Sequence, residues 1–269
     1  MKLFCLFFAI AQLMIIDVSF AASSKHEGHG GPVMGLTTSP DKKLLVSTSF
    51  DYSVLVWQLG EIRELQQLVG HEAAVNVAKF STSGKLLATA GDDAKIFLWH
   101  FKKHDFFLEN KITLDDHTAK IVDIDFSEDE QFLASASWDH TIKIWNIKTG
   151  RVVKSIEGHK GPVNSVKFSD DGQYLYSAGY DGTIRYWRIS DGQEVRTLVD
   201  NGWGINVLTV DEAQNLLLYG TIDGLMKLQT LNSKDVLLEI WEEGAPISAL
   251  NYYPEYKKAV FGTMKGRII

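Results

Sequence analysis

Residues 137–145 read SWDHTIKIW, and Ser135 stands two positions upstream, so a serine, an aspartate and a histidine fall within six positions. Ser135, Asp139 and His140 could form a nucleophile, an orienting acid and a base, or they could be parts of a repeated structural element. The same pattern recurs as SFDYSVLVW (49–57), GDDAKIFLW (91–99) and GYDGTIRYW (179–187). In each copy an aspartate stands six residues before a tryptophan. A histidine stands 22 residues before each aspartate, pairing His29 with Asp51, His71 with Asp93, His117 with Asp139 and His159 with Asp181. A hydrolase needs one nucleophile, one oriented base and one oxyanion hole, whereas this set occurs four times at one spacing. His140 takes a turn position held by Tyr52, Ala94 and Gly182 in the other copies, so the triplet reads as structural.

Within a copy the side chains alternate with period two: Ile142 and Ile144 are separated by Lys143 and flanked by Thr141 and Trp145. Turn-forming stretches SPDKK, STSGK, SEDEQ and SDDGQ each begin ten residues after a histidine. One unit is therefore four short antiparallel strands in roughly 42 residues. The aspartates are spaced by 42, 46 and 42 residues, and the longer interval maps to an insertion, HFKKHDFFLENK, at 100–111.

A period of this length, with Gly-His before the unit and Trp near its end, resembles the WD40-repeat family of β-propellers over residues 28–269. Gly-His stands as Gly28-His29, Gly70-His71 and Gly158-His159, with Asp116-His117 as a variant. The aspartate that usually follows the tryptophan is replaced in all four units, by Gln58, His100, Asn146 and Arg188. The resemblance implies an all-β fold of six units, the last incomplete, starting near His29, His71, His117, His159, Asn201 and Glu243. It also implies a buried hydrogen-bonded tetrad in each of four blades. The sets are His29, Ser47, Asp51 and Trp57; His71, Thr89, Asp93 and Trp99; His117, Ser135, Asp139 and Trp145; and His159, Ser177, Asp181 and Trp187. A buried carboxylate is tolerable when its acceptors are filled, so such a network is expected to hold each blade's register.

The fifth and sixth units keep the spacing and lose the residues. Asn201 pairs in register with Asp223, Glu243 with Lys265, and Gln229 replaces the fifth tryptophan. Apolar packing from Ile205, Val207, Leu216 and Leu218 is expected to replace the polar network. The sequence ends at GRII in the sixth unit, which leads to the expectation of part of a longer protein, with seven blades when closed, or of a truncated gene product, with an open six-blade arc as the alternative.

The N-terminus differs in kind. Met1-Lys2, the apolar run LFCLFFAIAQLMII and the small residues ending at Ala21 fit a signal peptide over residues 1–21, followed by a flexible leader at 22–28. Asp17 and the short run argue against a membrane anchor, which takes ~20 apolar residues. Export to a periplasmic or extracellular compartment is therefore expected. Removal of the segment takes away Cys5, the only cysteine, and leaves the net charge at −7. The mature chain then has no thiol chemistry, and an acidic chain without clustered Lys and Arg is a poor nucleic-acid binder. HEGH at 26–29 sits on the leader and does not read as a metal site. Gly28, Gly30 and Gly31 form no phosphate loop, since neither a strand before them nor a helix after them is indicated. No cofactor or catalytic residue is expected.

Function is then expected to be a non-catalytic scaffold for a protein or extended peptide. In this family the face bearing the turns between second and third strands commonly carries partners. Applied here, the resemblance puts Phe50, Asp92, Trp138, Tyr180, Ile222 and Met264 on that face, five of them apolar where turns favour polar residues. Two further rings, three and five residues after each histidine, add Pro32, Met34, Asn76, Lys120, Val122, Pro162 and Asn164. A second reading is the propeller module of a periplasmic redox protein whose c-type haem domain lies beyond this chain. It would need a Cys-x-x-Cys-His, which is absent from these 269 residues. A third, an enzyme with its site in the central channel, finds no support in Val33, Val75, Ile121 and Val163 on the inner strands.

Overall fold

The computed structural model describes residues 28–101 and 108–269. The expected signal segment 1–21, the leader up to residue 27 and positions 102–107 of the insertion lie outside the described residues. Five four-stranded antiparallel sheets and a sixth of two strands follow one another along the chain. Their inner strands are Val33–Thr38, Val75–Phe80, Ile121–Phe126, Val163–Phe168, Ile205–Asp211 and Ile247–Tyr253. Consecutive inner strands lie side by side, and all six line one central cavity. This is the propeller arrangement expected from the repeat.

The turns between second and third strands explain why Gly, Ala, Tyr and His share one position. Tyr52, Ala94, His140 and Gly182 all have φ between 60° and 79°. Only the left-handed region closes these tight turns, and glycine reaches it without strain. The residue two places before it is held from below: Phe50, Asp92, Trp138, Tyr180, Ile222 and Met264 each donate a backbone N–H to the carbonyl just before the inner strand, with distances of 2.8–3.0 Å. The turns are thereby tied to the central axis in all six sheets.

Apolar side chains meet between sheets, as the period-two alternation requires. Val54 and Val56 of the first sheet pack with Val75, Leu87, Phe97 and Trp99 of the second. Ile96 and Leu98 meet Ile121, Leu133 and Trp145, and Ile142 and Ile144 meet Val163, Leu175 and Trp187. Burying such a side chain contributes about 1.5–3 kcal/mol. The fifth sheet follows the same rule without the polar network: Ile205 and Leu218 are fully buried, and Val207 and Leu216 are half-buried. Between the fifth and sixth sheets only Met226, Ile247 and Phe261 form a buried cluster.

The outer strand of the fifth sheet, Val236–Trp241, exposes Val236, Leu237, Leu238 and Trp241. In the first sheet the outer-strand residues Leu65 and Leu68 are covered by Phe97 and Trp99 from the third strand of the next sheet. Among the described residues the sixth sheet has two strands, so no equivalent third strand covers Val236–Trp241.

Candidate functional site

Each inner strand carries a register shift at one repeated position, five residues after the histidine position. The residues there are Met34, Asn76, Val122, Asn164, Asn206 and Ser248. A bulge leaves one residue without a partner across the ladder and re-aims its side chain. All six line the central cavity, which has a volume of about 200 Å³.

Three of the six are asparagines with one job in common. Asn76, Asn164 and Asn206 donate Nδ2–H to the carbonyls of Ile121, Ile205 and Ile247, the first residue of the next inner strand, at 2.9, 3.0 and 3.1 Å. Asn76 also donates to Asp92 on the turn above, at 2.8 Å. Asn76 and Asn164, expected on the partner face, are therefore tied between neighbouring sheets. The same strand position that builds the channel wall thus joins it to the turn-bearing face.

Below this ring sits a charged group that the inner-strand positions Val33, Val75, Ile121 and Val163 gave no hint of. Asp125 is 1% exposed and pairs with Lys79 of the second sheet and with Lys167 of the fourth, the latter at 3.4 Å. It also accepts Phe168 N–H at 2.8 Å. Burial pushes Asp125 up, but Lys79 and Lys167 outweigh it and hold the carboxyl below its ordinary range. Asp123, two residues earlier, accepts Ser165 Oγ–H at 2.7 Å and Val166 N–H at 2.9 Å and opens on the cavity. It has no ion-pair partner among the described residues. Burial pushes its carboxyl up, and the field of Lys79 only partly counters this. The alternation signal could have found the pair, because Asp123 and Asp125 lie on one strand two residues apart in an otherwise apolar stretch.

The repeated polar residues come together inside the blades. In the third sheet Trp145 Nε1–H donates to Ser135 Oγ at 2.8 Å, Ser135 lies 2.7 Å from His117 Nε2, and His117 Nδ1 lies 2.6 Å from Asp139. With Ser135 donating onward, the network places the imidazole proton on Nδ1, facing the carboxylate. The second sheet repeats this through Trp99, Thr89, His71 and Asp93 at 3.0, 2.9 and 2.8 Å, and the fourth through Trp187, Ser177, His159 and Asp181 at 2.7, 2.7 and 3.1 Å. The first sheet is looser. Trp57, Ser47 and His29 are joined at 2.8 and 2.7 Å, but His29 lies 3.3 Å from Asp51 and Ser53 Oγ fits between them.

Burial pushes these aspartates up, and hydrogen bonds overcome it. Histidine, backbone N–H and hydroxyl donors leave Asp93, Asp139 and Asp181 below the usual carboxylate range, and donors from Ser53 and Gly30 bring Asp51 to about 2. Burial lowers His29, and the nearby Asp51 only partly restores it. In the fifth and sixth units Tyr219 and Phe261 fill the hydroxyl position, so the chain of donors cannot form.

The turn-bearing face presents Phe50, Trp138 and Tyr180 at 54%, 42% and 54% exposure, with Met264 also exposed. Ile222 and Met34 are half-buried, because Ile222 packs toward Gly204 and Met34 turns into the cavity. Lys120 Nζ stands 3.5 Å above the Trp138 ring. Trp203, not anticipated, is exposed on the turn beside Gly182 and occupies a position that is Gly or Ala in the other units.

Among the described residues no group of three or more His, Cys, Asp or Glu could hold a metal, and no helix is long and apolar enough to cross a membrane.

Comparison with known proteins identifies the same repeat. The chain is 31% identical over 139 residues to "Chromatin assembly factor 1 subunit FAS2 homolog" of Oryza sativa subsp. japonica, covering 48% of this chain and 28% of that protein. It is 29% identical over 149 residues to "Transcription initiation factor TFIID subunit 5" of Caenorhabditis elegans, covering 55% and 22%. It is 32% identical over 138 residues to "WD40 repeat-containing protein HOS15" of Arabidopsis thaliana, covering 49% and 22%. The chain thus spans about a quarter of the length of these relatives. The family described as "WD domain, G-beta repeat" matches residues 22–58, 62–100, 108–146 and 150–188, more than half of the chain, in the four units that carry the histidine, hydroxyl, aspartate and tryptophan. By sequence repeat and by fold together, this chain belongs to the WD40 family.

Proposed function

We propose that this propeller is a protein-interaction scaffold, without catalysis of its own, that holds an extended segment of a partner protein across its turn-bearing face. The carrying observation is the exposure of Phe50, Trp138 and Tyr180 at equivalent turn positions around one cavity. Tight turns favour Gly, Asn, Asp and Ser, and large aromatic side chains left in water there are the usual anchors of an interface. Two relatives are named as subunits of larger factors, which agrees with a role in assembly. The net charge of −7 favours a protein partner over nucleic acid.

The compartment belongs to the proposal as well. The positive start, apolar run and small residues at 1–21 support export, with the propeller working in a periplasmic or extracellular space. N-terminal sequencing of the protein recovered outside the cytoplasm is expected to begin at Ala22 or its immediate neighbours; an intact Met1 would contradict export with cleavage.

The face itself is tested by comparing the parent with the Phe50→Ala, Trp138→Ala, Tyr180→Ala triple variant in quantitative pull-downs from the exported fraction. Partners held by the face are expected to be lost selectively by the folded variant. Equal recovery of every partner would move the site elsewhere.

A further inference from the structure

The fifth unit departs from the first four at one backbone nitrogen. In those four the N–H that follows the histidine is held by the turn aspartate: Gly30 by Asp51, Glu72 by Asp93, Thr118 by Asp139 and Lys160 by Asp181, at 2.6–3.2 Å. In the fifth unit Asn201 stands at the histidine position and Gly202 follows it. Asp223 takes the hydroxyl of Thr221 instead, and no described residue accepts the Gly202 N–H. Asn201-Gly202 is also the single Asn-Gly dipeptide of the sequence.

The Asn201 side chain matches that free nitrogen. Its Oδ1 accepts Trp203 N–H at 3.0 Å, while its Nδ2 is buried without a hydrogen-bond partner, the only such side-chain nitrogen or oxygen among the described residues. A buried amide with no acceptor lacks the bond that would hold it in place. Gly202 has φ of 77°, and apart from its chain neighbours no atom lies within 4 Å of where a Cβ would stand, so nothing crowds its nitrogen. Gly202 and Trp203 are both exposed, which gives solvent access to the loop.

We propose that Asn201 is a site of spontaneous deamidation in the folded protein. Solvent base removes the Gly202 amide proton, and the nitrogen attacks Cγ of Asn201 to close a five-membered ring. The negative charge that develops on Oδ1 is held by Trp203 N–H, as an oxyanion donor holds a tetrahedral intermediate. The Cγ–Nδ2 bond breaks, the departing nitrogen takes a proton from water and leaves as ammonia, and a cyclic imide remains. Water then opens either imide carbonyl to give aspartate or isoaspartate. The sum is one water consumed and one ammonia released, with no oxidant or cofactor. Either product adds a negative charge at the histidine position of the fifth unit. Isoaspartate also adds a methylene to the backbone of the loop that leads through Trp203 into the inner strand Ile205–Asp211.

The test incubates the full folded chain and the peptide acetyl-Val-Asp-Asn-Gly-Trp-Gly-amide, which has the same sequence without the fold, side by side in one mildly alkaline buffer. Peptide mapping by mass spectrometry follows the amide-to-acid change at each asparagine. The folded chain is expected to convert Asn201 within about tenfold of the peptide's rate, or faster. It is expected to do so ahead of Asn232, which is also exposed and followed by a small residue. Aspartate and isoaspartate are both expected at that position, as an imide requires. The Asn201→Gln variant, whose longer side chain would have to close a six-membered ring, is expected to keep its amide. Conversion more than about tenfold slower than in the peptide shows that the fold protects Asn201 and overturns the proposal. Aspartate as the sole product, conversion of Asn232 first, or a mass gain in this loop that persists in Asn201→Gln overturns it as well.

Discussion

His117 Nδ1 lies 2.6 Å from Asp139 although 22 residues separate them, whereas His140, covalently next to that aspartate, sits exposed with φ of 72°. The distant histidine is the partner because the inner strand returns its N-terminal end to the turn of the same sheet. Asp139→Ala removes the acceptor for His117, Thr118 N–H and Thr141, and is expected to destabilise the chain by about 1–3 kcal/mol. His140→Ala touches none of this and should leave stability within about 0.5 kcal/mol. Denaturant unfolding of both variants checks the contrast, and equal effects would contradict it.

Acid should loosen the blades from pH 4 downward. Asp51, Asp93, Asp139 and Asp181 have folded-state values below the ordinary carboxylate value, Asp51 at about 2. Their contribution is complete above the unfolded value of about 3.9 and is lost as pH falls through the lower folded values, because the unfolded chain takes up the protons first. The lowered His29 acts earlier: the unfolded imidazole protonates first near pH 6.5, so stability also declines below that point. Thermal unfolding between pH 8 and pH 2.5 should show a shallow decline and then a steep one. A Tm that rises on acidification would contradict the assignment.

The turn position offers a gain. Ala94 holds φ of 60°, where a side chain costs roughly 1–2 kcal/mol and glycine costs little beyond its unfolded-state entropy. Ala94→Gly is expected to stabilise by up to about 1 kcal/mol. Gly182→Ala should destabilise, since a Cβ there would lie 3.0 Å from Trp203 N as well as straining the backbone. Paired thermal scans read both signs.

In the 269-residue chain the outer strand Val236–Trp241 is exposed, and in that chain it is expected to govern self-association. Its apolar edge is what natural sheets blunt with charge. Leu238→Lys is expected to lower aggregation during concentration, measured by light scattering, with unfolding behaviour unchanged. Undiminished aggregation would place the sticky surface elsewhere.

Much of this architecture was legible because period-two alternation and a fixed histidine-to-aspartate spacing are local signals. Four units could be aligned on residues such as His71, Asp93 and Trp99 without any structure. The fifth and sixth were visible only as spacing, since Tyr219 and Phe261 fill the hydroxyl position. The cavity was not legible. Bulges at Asn76, Asn164 and Asn206 re-aim side chains that simple alternation would assign to a sheet face, and the Asp125 cluster joins three sheets through Lys79 and Lys167. Trp203 escaped notice because it lies outside the turn that carries Phe50, Trp138 and Tyr180. Ile222 shares that turn position yet is half-buried, because Gly204 lets it pack inward.

Amide hydrogen exchange on the chain with and without its captured partner tests whether the turn-bearing face holds that partner. Added protection is expected at the turns around Phe50, Trp138 and Tyr180, with the outer strands Arg63–Leu68 and Arg151–Ile156 unchanged. Protection confined to those outer strands, with the three turns exchanging as in the free protein, would contradict it.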